Sequence, residues 1–225
     1  MASSLDLQEQ EQVDALKAFW KQYGNLVTWG LIAVLAAFAA WNGWNWYQRD
    51  QGIKAGAMFD ELERAAVAGD GDRTARVFAD LKQRYPGTAY AEQGGLLSAR
   101  VLYEKGKPDD ARAALAWVAD NATEAEYRTV ARLRLAGVML DAKQYDEALK
   151  QLDAAKAEGF EALVADRRGD ILLAQGKKDE ARAAYQAAWK AMDEKLDYRR
   201  LIDAKLTALG AAPEAAGAVA SGAAK

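Results

Sequence analysis

The chain has 225 residues, with 30 Lys or Arg against 33 Asp or Glu and neither His nor Cys. Without those two side chains the usual zinc sites, thiol nucleophiles, Ser–His–Asp triads and disulfide frameworks are excluded. After Gln48 the balance is 28 basic to 29 acidic residues, so no basic field exists to hold nucleic acid.

The first residues are a polar tail. Leu5, Val13, Leu16, Phe19 and Trp20 form a partial apolar stripe at helical spacing. This suits a solvated helical lead-in, or a segment lying on a membrane surface or a partner. The next stretch dominates the chain. Leu26 to Trp41 carries no charge, and the uncharged window runs from Gln22 to Gln48, longer than the ~20 apolar residues a bilayer core requires. Trp20, Tyr23 and Trp29 flank one edge, and Trp41, Trp44, Trp46 and Tyr47 the other, as in the aromatic belts of a membrane span. Ala37-Phe38-Ala39 resembles a signal-peptide cleavage site, but the preceding tail holds Asp6, Glu9, Glu11 and Asp14 where a signal peptide opens on basic residues. A core helix would keep a polar stripe, and this run has none. A transmembrane helix over 22–48 follows, with 1–21 as its leading tail.

Beyond it, 55–68 reads as an amphipathic helix through Met58, Phe59, Leu62, Ala65 and Ala66. Gly69-Asp70-Gly71-Asp72 breaks it, and a second helix is predicted from about Arg73 to Arg84. Tyr85-Pro86-Gly87-Thr88 then makes a turn, with Thr88 as the N-cap of the next helix. From there the sequence repeats. Ala99, Leu102, Gly106, Ala111, Leu115 and Val118 recur as Ala136, Met139, Lys143, Ala148, Leu152 and Ala155, then as Gly169, Leu172, Gly176, Ala181, Tyr185 and Ala188. The spacings of 37 and 33 residues bracket the ~34 of a tetratricopeptide repeat.

Each unit has a physical logic. Gly106 or Gly176 ends the first helix in the left-handed region. Paired acids such as Asp109-Asp110 and Asp179-Glu180 then open the second helix, where its dipole favours negative charge. Small residues at Ala99, Ala136 and Gly169 let the two helices cross closely. A degenerate unit around Ala75, Phe78 and Ala79 precedes these three and lacks the turn glycine, keeping Asp70 there. A last helix, Asp197 to Leu209, covers the exposed end of the stack. The Ala/Gly-rich segment 210–225 is expected to be disordered. The predicted fold is therefore all-α: a single transmembrane helix followed by a tetratricopeptide-like α-solenoid over 49–209, with about three clear repeats, one degenerate repeat and a terminal capping helix.

Several pieces together resemble one known family. They are the membrane span near residue 30, its aromatic exit Trp44-Asn45-Trp46-Tyr47, the Tyr85-Pro86-Gly87-Thr88-Ala89-Tyr90-Ala91 junction, and the closing helix from Arg199 to Leu209. Outside the Ala/Gly tail the chain looks like the YfgM family of Gram-negative bacteria, ancillary to the SecYEG translocon. The resemblance implies a single-pass inner-membrane protein with residues 1–21 cytoplasmic and 49–209 periplasmic. It implies as partners the SecYEG translocon, a membrane-anchored periplasmic chaperone of the PpiD type, and unfolded secreted polypeptides. The family supplies no catalytic residues, and no cofactor or metal is expected.

Stacked helix pairs leave a concave face lined by the first helix of each repeat. Spacing assigns to it Gln93, Leu96, Arg100, Tyr103, Leu133, Leu140, Asp166, Asp170 and Leu173. These are the candidate protein-binding residues, with Leu133 and Leu140 equally suited to the repeat core. No Lys/Asn clamp for a C-terminal carboxylate is visible among them. No glycine-rich phosphate loop occurs either, so an enzymatic role has no support. Two binding roles stand open: a tethered scaffold at the translocon that helps transfer secreted polypeptides to periplasmic chaperones, or a tethered adaptor for cell-envelope or division assembly. Charge leaves the orientation open, because Lys17 and Lys21 precede the span while Arg49, Lys54 and Arg64 follow it.

Overall fold

The computed structural model describes residues 4–212, with side chains from residue 10 onward. Among the described residues it is built from helices alone: α1 (Ser4–Val67), α2 (Gly71–Arg84), α3 (Ala89–Glu104), α4 (Pro108–Asn121), α5 (Ala125–Asp141), α6 (Tyr145–Asp153), α7 (Glu161–Ala174), α8 (Lys178–Ala191) and α9 (Tyr198–Ala208). Two compact units divide the chain between Gln51 and Gly52.

In the first unit α1 carries the one helix long and apolar enough to cross a membrane among the described residues. The uncharged stretch from Gln22 to Gln48 amounts to about 40 Å of helix, against a hydrocarbon core of about 30 Å. Its large apolar side chains are bare: Leu26 is 74% exposed, Trp29 65% and Trp41 68%. Such a surface demands an apolar solvent. In this stretch Thr28 donates to the Gly24 carbonyl at 2.7 Å and so is satisfied within the helix.

The second unit is a stack of antiparallel helix pairs: the end of α1 with α2, α3 with α4, α5 with α6, and α7 with α8. Each first helix ends on a residue at positive φ: Gly69 at 64°, Gly106 at 73°, Lys143 at 59° and Gly176 at 81°. The hydrogen bonds there are alike. Gly106 N–H donates to the Tyr103 carbonyl and Lys107 N–H to the Leu102 carbonyl, and the same two bonds form at Gly69, Lys143 and Gly176. This is the Schellman arrangement, which satisfies carbonyls the helix end would otherwise leave open.

The first pair corrects the expectation of a degenerate turn. Gly69, not Asp70, takes the left-handed position, and Asp70 instead caps α2 by accepting from Arg73 N–H at 2.9 Å. That cap starts α2 at Gly71, two residues earlier than expected. The register residue is Thr74 rather than Ala75. Thr74 is fully buried, as are Ala111, Ala148 and Ala181, and its spacing to Ala111 is the same 37 residues. A hydroxyl is tolerated in that crossing because Thr74 Oγ1 donates to the Asp70 carbonyl at 2.7 Å.

Close crossings hold the pairs together. A Cβ at Gly95 would lie 2.3 Å from Val118 Cγ2, and one at Gly169 would lie 2.4 Å from Tyr185 Cε1. Thr88 caps α3 as expected, its Oγ1 accepting from Ala91 N–H at 3.3 Å. At the end of the stack α9 buries Ile202 and Leu206 against Tyr185, Ala188 and Met192. It repeats the Schellman turn at Gly210, φ 70°. The capping helix thus ends as the first helix of each repeat does. Of the segment 210–225 expected to be disordered, residues from Pro213 on lie outside the described residues.

Candidate protein-binding groove

The helices α3, α5 and α7 are the first helices of three consecutive pairs, and a cleft of about 410 Å³ opens over them. Arg100 and Tyr103 of α3, Arg134, Gly137, Val138 and Asp141 of α5, and Arg167 of α7 line it. A second cleft of about 470 Å³ shares Tyr103, Val138 and Asp141 with the first and continues to Gly106 and Pro108 at the turn before α4. The two form one channel along the seam between α3 and α5.

The predicted site residues separate into three groups. Arg100 and Tyr103 stand in the cleft together, as their spacing along one helix face requires. Tyr103 is 40% exposed and its hydroxyl donates to Asp141 Oδ2 of the next repeat. That carboxylate, then partial burial, pushes the phenol above its usual range. Arg100 reaches Glu104 at 3.8 Å, a distant and exposed pair worth little. Gln93, half-buried, spans the same seam further up, donating from Nε2 to Tyr127 Oη at 2.8 Å.

Leu96, Leu133 and Leu140 pack inward. Leu96 is buried with Leu102, Leu115 and Val118, and Leu133 and Leu140 lie against Ala136, Leu152 and Ile171. Leu173 is 37% exposed. Asp166 and Asp170 are engaged elsewhere. Asp166 is only 2% exposed. It accepts from Lys205 Nζ at 2.8 and 2.9 Å and from the Tyr198 hydroxyl at 2.7 Å. Asp170 accepts from Lys205 Nζ at 2.7 Å and from the Tyr185 hydroxyl at 2.8 Å. These two acids lock α9 onto α7, so their carboxylates are not offered to a partner. Leu96 likewise shapes the groove from beneath without facing it.

Sequence reasoning missed Arg134, Gly137, Val138, Asp141 and Arg167. A signal was available, since Arg134 and Arg167 are 33 residues apart, the same spacing as Ala136 to Gly169 and Ala148 to Ala181. They occupy one register position in successive repeats. Arg134 donates to the Leu96 carbonyl at 3.3 Å and forms no ion pair among the described residues. Burial of its guanidinium in the cleft, and after that the repulsion of Arg100, pull its pKa below the usual value. Arg167 passes over Gly137, where even a Cβ would stand in ordinary contact, 3.8 Å from the guanidinium carbon. Arg167 pairs loosely, at 3.5 Å, with Asp170.

Comparison with known proteins agrees with this architecture. A tetratricopeptide repeat-like domain family matches residues 17–211. A protein of Escherichia coli (strain K12) named "Ancillary SecYEG translocon subunit" is 33% identical over 184 residues, 81% of this chain and 87% of the relative. A Neisseria gonorrhoeae protein of the same name is 30% identical over 207 residues, 90% of this chain and 98% of the relative. A third, from Haemophilus influenzae, is 28% identical over 182 residues, 81% and 89% of the two chains. Among solved structures, "MamA RS-1 ArsTM double mutant" superposes with a TM-score of 0.50 at 18% identity, covering 71% of this chain and 90% of that one. At that identity the likeness bears on the fold alone.

Proposed function

Because this chain belongs to the tetratricopeptide repeat-like family of ancillary SecYEG translocon subunits, we propose that it is a membrane-tethered binding scaffold at the Sec translocon that helps transfer secreted polypeptides to periplasmic chaperones. The observation that carries this reading is the pairing of an apolar, exposed helix in the first unit with a two-cleft channel in the second. The first supplies a tether and the second a surface for a polypeptide. Its partners in this reading are the translocon, a PpiD-type membrane-anchored chaperone, and the unfolded chains that pass between them. No catalysis is assigned to it.

The proposed topology has residues 1–21 in the cytoplasm, 22–48 in the membrane, 49–209 in the periplasm and 210–225 as a tail. Orientation rests on the relatives, since long domains cross a membrane largely regardless of their charge. Alkaline phosphatase fused after Leu209 should be active in living cells, and an inactive fusion overturns the orientation. For the role itself, a photo-crosslinking residue at position 100 or 103 should trap a translocating chain stalled at SecYEG. The same probe at Arg84, exposed on α2 and outside the channel, should not. Equal trapping from both positions would refute the groove assignment. Capture of envelope-synthesis enzymes in place of translocon subunits would favour the tethered-adaptor role.

A further inference from the structure

We propose that Arg100, Arg134 and Arg167 form a receptor for an acidic side chain carried within an extended polypeptide segment. The proposal rests on reading the channel over α3, α5 and α7 as the polypeptide-binding surface, and it names the chemistry that surface selects.

Three guanidiniums and two carboxylates, Glu104 and Asp141, line one cleft, so positive charge is in excess there. Arg134 has a backbone carbonyl and no carboxylate among the described residues. Arg100 holds Glu104 at 3.8 Å across an exposed surface. Arg167 holds Asp170 at 3.5 Å, but that carboxylate already accepts from Lys205 and Tyr185 at shorter range. Arg134, exposed as a whole residue, has its guanidinium partly desolvated beside a like charge, Arg100. A carboxylate entering the cleft relieves that repulsion and replaces the lost hydration with charge-assisted hydrogen bonds. The planar guanidinium fork fits a carboxylate better than an ammonium does.

The cleft also says where the acid sits in its chain. Its walls are apolar at Ala99, Leu115 and Val138, so the flanking side chains should be aliphatic. It does not stop at the arginines. The channel runs on past Tyr103 and Val138 into the second cleft, where Asp141 is the one charged lining residue. A segment entering over the arginines therefore has a path onward, which a chain terminus would not need. Asp141 at the junction repels a second acid, so the favoured sequence has a single acidic residue followed by apolar or basic ones.

The test uses the full-length protein in detergent micelles and short fluorescein-labelled peptides, read by fluorescence anisotropy. One peptide is amidated with a central Glu between Leu and Val, the second replaces that Glu by Gln, and the third keeps Gln but has a free C-terminal carboxylate. The Glu peptide should bind about tenfold more tightly than the amidated Gln peptide. That preference should weaken as salt is raised. Arg134→Gln with Arg167→Gln should abolish the preference, and each single change should reduce it. Arg84→Gln, outside the channel, should leave it intact. Thermal unfolding followed by circular dichroism shows whether the variants keep the fold, and Arg134→Lys with Arg167→Lys gives a second, charge-conserving pair expected to retain part of the preference. Equal binding of the Glu and Gln peptides, or a preference that survives in the folded Gln variants, overturns the proposal. Tighter binding of the free-carboxylate peptide than of the Glu peptide overturns the internal-segment assignment in favour of a chain terminus. If no peptide binds the unaltered protein, the polypeptide-binding reading of the channel itself falls.

Discussion

Gly169→Ala tests how the last repeat is packed. In two earlier repeats the crossing pairs a small residue with Leu, Ala99 with Leu115 and Ala136 with Leu152, always 16 positions apart. In the last repeat the pair is Gly169 with Tyr185 at the same separation. The structure gives the reason for the double change. A Cβ on Gly169 would lie 2.4 and 2.5 Å from Cε1 and Cδ1 of Tyr185, inside any real carbon contact. Tyr185 has nowhere to go: it is 1% exposed and its hydroxyl donates to Asp170 at 2.8 Å.

The magnitude follows from three contributions. Overpacking a filled site costs about 1–3 kcal/mol. Displacing the phenol from a carboxylate acceptor costs about 1.5–3 kcal/mol. Ala in a helix offsets about 0.5–1 kcal/mol relative to Gly. Mid-range values leave a net loss of roughly 3.5 kcal/mol. For a domain of this size that lowers the thermal midpoint by about 7–14 °C. Circular dichroism of the full-length protein in micelles reads the midpoint, and hydrogen exchange should place the loosening in α7, α8 and α9. Tyr185→Leu added to Gly169→Ala rebuilds the Ala–Leu pair of the other repeats, so the double variant should be more stable than Gly169→Ala alone. The coupling between the two sites should be about 1–3 kcal/mol. A neutral or stabilising Gly169→Ala, or strictly additive changes, would refute the close-crossing argument.

Three further outcomes are expected. Lys143 is the one non-Gly residue at positive φ among the described residues, and the strain of about 1–2 kcal/mol exceeds the entropic cost of Gly, so Lys143→Gly should raise stability by about 0.5–1 kcal/mol in chemical unfolding. Thr88→Ala removes the oxygen that accepts from Ala91 N–H and should cost about 1 kcal/mol in the same assay. Burial, then the bonds to Asp170 and Asp166, hold the Tyr185 and Tyr198 phenols above their usual range. Because the folded state keeps these protons when the unfolded chain loses them, their contribution is full below pH ~10 and falls as pH rises further. Tyr185→Phe with Tyr198→Phe should lower stability at neutral pH and flatten that alkaline decline in unfolding curves taken across pH.

What the sequence could disclose was whatever local chemistry determines. The span was legible because no charge interrupts Leu26 to Trp41, and nothing but lipid or a core suits such a run. The repeat turns were legible because a left-handed residue must follow each first helix, and Gly marks most of them. Lys143 fell into the same register despite its side chain, since the residues around it kept their spacing. The slip at Thr74 has a specific origin. Apolar pattern favours its neighbour Ala75, and a hydroxyl suits that crossing only through its bond to the Asp70 carbonyl. One position on a helix is about 100° of rotation, so the slip moved the whole first unit off its face. The glycine of that unit then looked missing, when Gly69 was in place.

The candidate site was harder to read because its residues are sorted by a helix that arrives much later in the chain. Asp166 and Arg167 are neighbours on α7, about 100° apart around its axis. Spacing alone put the acids on the concave face. The return of α9 decides otherwise, because Lys205 and Tyr198 reach Asp166 from 39 and 32 residues away. With the acids drawn to the cap, Arg167 lies toward the groove, beside Arg134 of the preceding repeat. One turn of α7 thereby does two things. Its carboxylates give Lys205 a partner, which a cation so placed against the stack requires. Its guanidinium shares the little that remains of Asp170, and this leaves positive charge at the groove. The cap's polar lock and the groove's unbalanced arginines are two consequences of the same three residues, Asp166, Arg167 and Asp170. Any substitution that frees the acids from α9 should also quench the arginine beside them, coupling the closure of the stack to the charge of the groove.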